Sequence, residues 1–154
     1  MKVNKKRGFT LIELLIVISI LGILTSLLLA NMQNARARGR DARRKKDLNE
    51  LRTALRMYYN DYQNYPSDSN GQIRGCNPVQ TFEWGSSFSC GINTYMSLLP
   101  KDPLSSQSYY YTQTGSGEGF MVYACLENMS DPDGSNSCGP MSCSTNWCFR
   151  VVQD

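Results

Sequence analysis

The N-terminal third of the chain holds its longest apolar stretch, and a helical pattern follows it. From Leu14 to Ala35 there are 22 uncharged residues, and the almost wholly apolar part, Leu14 to Ala30, is long enough to span a bilayer as a helix. Apolar residues then recur at spacings of three and four, at Leu48, Leu51, Leu55, Tyr58 or Tyr59, and Tyr62. Such a stripe is typical of a helix that packs on a sheet. Since no proline occurs before Pro66, the pattern predicts one helix from Phe9 to about Tyr62, roughly 80 Å long.

The pattern changes at Asn64-Tyr65-Pro66, where proline ends the helix and a loop rich in Gly, Ser and Asn follows. We expect a short helix at 93–99. Three strands are expected, at 109–112, 120–126 and 147–152. The turn signal at 114–117 joins the first two as a hairpin, and apolar alternation in the second lets one face lie on the helix stripe. The predicted fold class is α+β: a long N-terminal helix packed on a small antiparallel β-sheet with disulfides.

Charge is distributed unevenly along the 154 residues, whose formal net charge is +3. Residues 36–56 contain nine basic and three acidic side chains, a net charge of +6. Residues 57–154 contain three basic and nine acidic side chains, a net charge of −6. Opposite charges attract, so we expect the basic cluster from Arg36 to Lys46 (the stalk cluster) to form a solvated face or to pair with acidic surfaces of neighbouring molecules.

The six cysteines all lie in the C-terminal, acidic part of the chain: Cys76, Cys90, Cys125, Cys138, Cys143 and Cys148. Histidine and C-x-x-C pairs are absent from the sequence, so zinc would have to use the last three cysteines, at five-residue spacing, plus a fourth. Disulfides formed in an oxidising, extracytoplasmic compartment are the favoured interpretation. Sequence alone does not choose the connectivity, although Cys76 and Cys90 lie in one loop and make the first candidate pair.

A single carboxylate stands at the start of the apolar stretch. A basic leader is followed by Gly8-Phe9-Thr10-Leu11-Ile12-Glu13-Leu14. A carboxylate at the centre of a membrane helix costs about 2.5–3.5 kcal/mol, and less near the interface, so Glu13 is expected to have a partner and a role. The alternative is a carboxylate that merely sits at headgroup level. This motif resembles the N-terminus of type IV prepilins, and the resemblance covers residues 1 to about 35.

The resemblance implies a processing and assembly site. A prepilin peptidase would cut between Gly8 and Phe9 and methylate the new amino group of Phe9, and Glu13 would then neutralise the Phe9 ammonium of a neighbouring subunit. It also implies four segments: a cleaved leader (1–8), a transmembrane and polymerisation helix (9–31), an amphipathic stalk helix (32–63) and a globular head (64–154) with a loop, an antiparallel sheet and a Cys-rich end.

The implied partners are the chain itself and other pilins, the prepilin peptidase, an assembly platform protein and its ATPase, and the membrane before assembly. The leader would be cytoplasmic and the head extracytoplasmic, and the assembled filament would be extracellular or periplasmic. The stalk cluster by itself favours the opposite orientation under the positive-inside rule, but the cysteines support this one. A cleaved secretory signal is the rival interpretation, and its best cleavage site, near Ala35, lies behind polar residues.

The C-terminal part also resembles the G-type major pseudopilin of type II secretion and related short pilins. The resemblance rests on the segments 58–66, 98–103 and 109–111. It implies a calcium-binding loop, for which Asp131 and Asp133 are the candidate ligands because calcium prefers hard oxygen donors. The loop lacks the twelve-residue EF-hand pattern, and a solvated Asp-Pro-Asp-Gly turn is the favoured alternative.

The sequence therefore predicts a structural pilin or pseudopilin subunit. A minor pilin that binds DNA or a surface is the alternative, with the stalk cluster contacting phosphates electrostatically. Enzymatic functions are disfavoured, since no histidine is present to activate a nucleophile and no phosphate-binding loop or dinucleotide fingerprint occurs.

Overall fold

The computed structural model describes residues 8–76 and 78–153, and for residues 27–31 it describes the backbone alone. The predicted leader, apart from Gly8, lies outside these residues. Contacts divide the chain into two compact units, Met1–Arg36 and Ala37–Asp154. The helix α1, Leu11–Tyr62, begins in the first and ends in the second, close to the predicted limits. Across the described ranges, no helix meets the combined requirement of length and apolarity for a membrane crossing.

The second unit adds eight short strands to the C-terminal part of α1. They are β1 (Ser67–Ser69), β2 (Gln72–Gly75), β3 (Gln80–Phe82), β4 (Phe88–Cys90), β5 (Asn93–Met96), β6 (Tyr110–Thr114), β7 (Gly119–Cys125) and β8 (Cys148–Gln153). They form three antiparallel sheets in the orders β1-β2-β3, β4-β5 and β6-β7-β8. A long helix on antiparallel sheets confirms the predicted α+β class.

The core forms where the predicted helix stripe meets the predicted hairpin. Leu48, Leu51 and Leu55 are fully buried on α1, and Phe120 and Val122 are fully buried on β7. The strand β7 is the central strand of its sheet, and its pairing on both sides fixes which of its faces lies on the helix. Val122 lies opposite Tyr111 on β6 and opposite Val151 on β8. The last residue of the stripe, Tyr62, is 41% exposed, since the helix ends there and the chain turns away.

Two expectations about the loop region were wrong. Residues 93–99 begin with the strand β5 rather than a helix, and β1 to β4 occupy a region expected to be loop. Tyr95 explains the first difference, because strand alternation buries its ring against Tyr58 and Phe88 while Thr94 stays exposed. The second arises because strands of three or four mostly polar residues leave no periodic signal.

Three disulfides join all six cysteines: Cys76–Cys90, Cys125–Cys143 and Cys138–Cys148. The first is the pair expected from the shared loop. The other two form a small buried cluster of their own, separate from the main core. They tie the segment between β7 and β8, which contains no helix or strand, to both strand ends. Cross-links of this kind stabilise a region with little apolar surface of its own.

Candidate assembly site

The N-terminal motif forms a capping box at the start of α1. The Thr10 backbone N–H and hydroxyl both donate to Glu13 Oε2, at 2.8 and 2.7 Å. In return the Glu13 N–H donates to Thr10 Oγ1 at 3.4 Å. Reciprocal bonds of this type satisfy the first free N–H groups of a helix. The carboxylate of Glu13 is therefore held at the helix start by its own chain.

One oxygen of that carboxylate stays open. Among the described residues, Glu13 Oε1 has no hydrogen-bond partner. Phe9, which follows the predicted cleavage point, is 76% exposed, and Gly8 is exposed as well. The expected cleavage bond thus precedes the expected assembly carboxylate by four to five residues, and both are exposed.

The apolar side chains that follow Glu13 have no cover within the described chain. The exposed fraction is at least 44% for every member of this set: Leu11, Ile12, Leu14, Leu15, Ile16, Val17, Ile18, Ile20, Leu21, Ile23 and Leu24. Soluble monomers rarely expose an apolar surface this continuous. This part of the first unit is therefore a continuous exposed apolar surface.

In the second unit, the stalk cluster forms a buried ion network centred on Arg44. Its Nε and Nη2 donate to the two oxygens of Asp102, each at 2.7 Å. Its Nη1 donates to Asp41 at 2.8 Å and to Glu127 at 2.7 Å. The side chains of Arg44 and Asp102 are fully buried, and that of Asp41 is 1% exposed. One arginine therefore joins α1 to the loop before β6 and the loop after β7.

Neighbouring bonds complete the network. Arg40 binds Glu127 with two parallel bonds, at 2.7 and 2.5 Å. Asp41 also accepts the N–H groups of Glu127 and Asn128, the latter at 2.9 Å. Burial alone would lower the pKa of Arg44, but the bonds to Asp102 and Glu127 raise it above its ordinary value. Every buried charge in the network thus has bonded partners, the condition under which buried ion pairs are tolerated.

Glu127 makes the stability of this network depend on pH. The bonds from Arg40 and Arg44 lower the pKa of Glu127 from 4.5 to about 2, against the opposing effect of burial. Because the folded-state pKa is depressed, the stabilisation is present above about pH 4.5 and is lost as the pH falls through about 2.

We expect Glu127→Gln to lower the free energy of unfolding at pH 7 by about 1.5–3 kcal/mol, since it removes hydrogen bonds between charged groups. The difference from wild type should shrink as the pH falls from about 4.5 through 2, because Glu127 is then protonated in the unfolded state and increasingly in the folded state. Unfolding followed by near-ultraviolet circular dichroism at several pH values measures this. Glu118→Gln, at an exposed position, is the control and should follow the wild-type profile. A difference that stays constant with pH would contradict the assignment.

For three members of the stalk cluster the network corrects the expectation of a solvated or intermolecular face, whereas its other members, Arg36, Arg38, Arg43 and Lys46, are exposed as expected. Arg40 and Arg44 bind acidic groups of their own chain, and Lys45 binds the expected calcium ligands, Asp131 and Asp133. Within the described chain, only two members of the cluster form no ion pair, Arg36 and Arg38. Arg40, Arg44 and Lys45 are therefore engaged within the chain, and the other four bases of the cluster are the exposed ones.

Two features of the site were not predicted. The first is the capping box, although the Thr10-x-x-Glu13 spacing is a signal for it in the sequence itself. The Arg44 network had a weaker signal, the spacing of Arg40 and Arg44 by one helical turn. Its acceptors lie 58 and 83 residues away along the chain, and no local pattern identifies them.

Comparison with known proteins matches two consecutive parts of the chain. Residues 3–29 match the prokaryotic N-terminal methylation motif, and residues 30–136 match the type II secretion system protein G family. The type II secretion system core protein G of Vibrio cholerae is 30% identical over 121 residues, which are 75% of this chain and 77% of that protein. No solved structure matches the chain.

Two further relatives match over a shorter length. The type II secretion system core protein G of Escherichia coli is 37% identical over 68 residues, 44% of this chain and 47% of that protein, so the match spans about half of its length. The type IV major pilin protein PilA of Myxococcus xanthus is 36% identical over 66 residues, 43% of this chain and 30% of that protein.

The methylation motif, the long helix on antiparallel sheets and the protein G match over most of the chain lead to one assignment. The chain belongs to the type II secretion system protein G family of pilin-like proteins, and it is a structural filament subunit.

Proposed function

We propose that this chain is the repeating subunit of a secretion pseudopilus, processed between Gly8 and Phe9 and assembled through residues 9–31. The observation that carries the proposal is the exposed apolar helix start with its one carboxylate, Glu13. Identical helices packed side by side would cover this surface. The family and the methylation motif imply an extracellular or periplasmic filament.

The proposed assembly contact joins Glu13 of one subunit to the Phe9 ammonium of the next. The capping box holds one oxygen of Glu13, Oε2, through Thr10, and Oε1 has no hydrogen-bond partner among the described residues. In an apolar bundle, two opposite charges attract strongly, whereas each alone pays a desolvation cost. A subunit in the wrong stagger would bury both charges unpaired, so the pair sets the register between subunits.

The same proposal names the partners of the chain and the order of the steps that lead to the filament. Before assembly the chain lies in the membrane, with the leader cytoplasmic and the head extracytoplasmic, and a prepilin peptidase removes the leader. A platform protein and its ATPase then withdraw the subunit from the bilayer into the filament. Three disulfides in the second unit suit an oxidising compartment outside the cytoplasm.

The intact mass of the protein isolated from the filament and membrane fractions of its native cells, with sequencing of fragments, tests this function. We expect an abundant chain that begins at N-methylated Phe9 and has all six cysteines oxidised. An intact full-length chain confined to membranes, or one that begins beyond Ala37, would overturn the proposal. The same measurement on a Gly8→Leu variant is the control, and it should give unprocessed protein because the bulkier side chain alters the residue at the cleavage bond.

A further inference from the structure

The ammonium group of Lys45 lies between the two carboxylates expected to bind calcium. Lys45 Nζ donates to Asp131 Oδ1 at 2.7 Å and to Asp133 Oδ2 at 2.8 Å. The side chains of Lys45 and Asp131 are 22% and 13% exposed, and that of Asp133 is 60% exposed. One basic side chain of α1 therefore bridges both carboxylates of the loop.

The donor set around this position does not fit calcium. Calcium takes six to eight oxygen ligands at about 2.3–2.6 Å. Asp131 Oδ1 is also bound to the N–H of Asp133 at 3.0 Å. The acids that border the loop, Asp41 and Glu127, are bound to arginines and backbone N–H groups. In residues 8–76 and 78–153, no group of three or more Asp, Glu, Cys or His side chains is arranged to hold a metal ion.

Electrostatics gives the same result. A divalent ion between Asp131 and Asp133 would have to displace an ammonium group that already bonds to both. Burial lowers the pKa of Lys45, but the bonds to Asp131 and Asp133 outweigh it and leave that pKa above its ordinary value. Lys45 is therefore charged at neutral pH, and it repels a second cation at short range.

The loop is also built to rest on α1. At residues 128–134 it makes two consecutive turns, in which Asp131 donates to Asn128 O and Gly134 donates to Asp131 O, each at 3.1 Å. The Asn128 N–H is held by Asp41 of α1 at 2.9 Å. At its end, the Trp147 ring covers Gly134, where an added Cβ would lie 1.9 Å from Nε1. Lys45 supplies the middle attachment between these two.

We propose that Lys45 is a built-in counter-ion that takes the place of calcium, fixing the 128–134 loop on α1 and making the folded second unit independent of metal ions. The proposal concerns the stability of the second unit alone, so it stands or falls separately from the assembly mechanism.

The first test is the melting temperature of the oxidised full-length protein in detergent micelles, followed by near-ultraviolet circular dichroism. It is compared in EDTA and in about 1 mM calcium chloride, the upper end of the range at which extracellular calcium modules bind. We expect the two melting temperatures to agree. A rise of about 3 °C or more in calcium, the shift that a sizeable fraction of 1 kcal/mol produces, would overturn the proposal.

The second test removes the counter-ion. We expect Lys45→Met to lower the melting temperature by about 3 °C or more in EDTA. The control is Lys46→Met, since Lys46 is 74% exposed and pairs only with Glu50 at 3.4 Å, and it should melt with the wild type. A Lys45→Met protein that melts with the control would contradict the role of Lys45. If that variant does not fold, the calcium comparison on the wild type still decides the proposal.

Discussion

Replacing Arg44 with methionine is expected to destabilise the second unit by about 3–5 kcal/mol, the cost of breaking a buried ion network by removing one partner. Asp102 and Asp41 would each lose their bonds to the guanidinium while remaining buried, and Glu127 would keep only Arg40. Methionine retains much of the apolar stem, so the loss measures the charge and its bonds rather than a cavity.

The size of this effect follows from which groups are left behind. Replacing a whole buried ion cluster by apolar residues is often neutral, because every charge leaves together. Removing Arg44 alone leaves two acids in a site from which water is excluded, with side chains 0% and 1% exposed.

The adjacent Arg43 provides the control. Its side chain is 65% exposed and meets Asp47 at 3.9 Å, and exposed pairs of this kind contribute about 0–1 kcal/mol. Urea and thermal unfolding of Arg44→Met and Arg43→Met, each oxidised and in the same detergent, measure the contrast. Loss of stability by less than about 1 kcal/mol in Arg44→Met would show that the network is not needed to hold the loops on α1.

The parts of the fold that sequence predicted are those specified by local periodicity. Leu48, Leu51 and Leu55 recur at helical spacing, and burying them requires only an apolar surface opposite. The strand β7 supplies it, because alternation places Phe120 and Val122 on one face. Both signals lie within a dozen residues, so they are readable before the tertiary structure is known.

The contacts of the stalk cluster are an example of what sequence patterns do not predict. Its opposite charge to residues 57–154 was visible, but charge balance does not distinguish a bond within one chain from a bond between two. Arg44 and Asp102 meet because the loop before β6 folds back on α1, over 58 residues of sequence. Such a contact is a product of the tertiary fold. The same holds for the short strands β1 to β5, where Tyr95 of β5 packs on Tyr58 of α1 and a disulfide joins Cys76 to Cys90.

The assembly role of Glu13 leads to the other large expected effect. We expect Glu13→Gln, like Glu13→Ala, to abolish filaments while the processed protein stays in the membrane. Glutamine is itself a capping-box residue, since its amide oxygen accepts the bonds from Thr10. Glu13→Gln therefore keeps the helix start and removes only the charge that would pair with the Phe9 ammonium.

A second variant weakens the helix cap and keeps the charge, which separates the two roles of the motif. Thr10→Val removes the hydroxyl bonds to Glu13 but keeps the carboxylate, so filaments should form, with helix stability lowered by about 0.5–2 kcal/mol. Sheared filaments and membranes from each strain, probed for the subunit, give the two amounts. If the charge sets the register, only the Glu13 variants lose filaments. Normal filaments from Glu13→Gln would refute the pairing, and loss in Thr10→Val alone would assign the function of the motif to the helix cap instead.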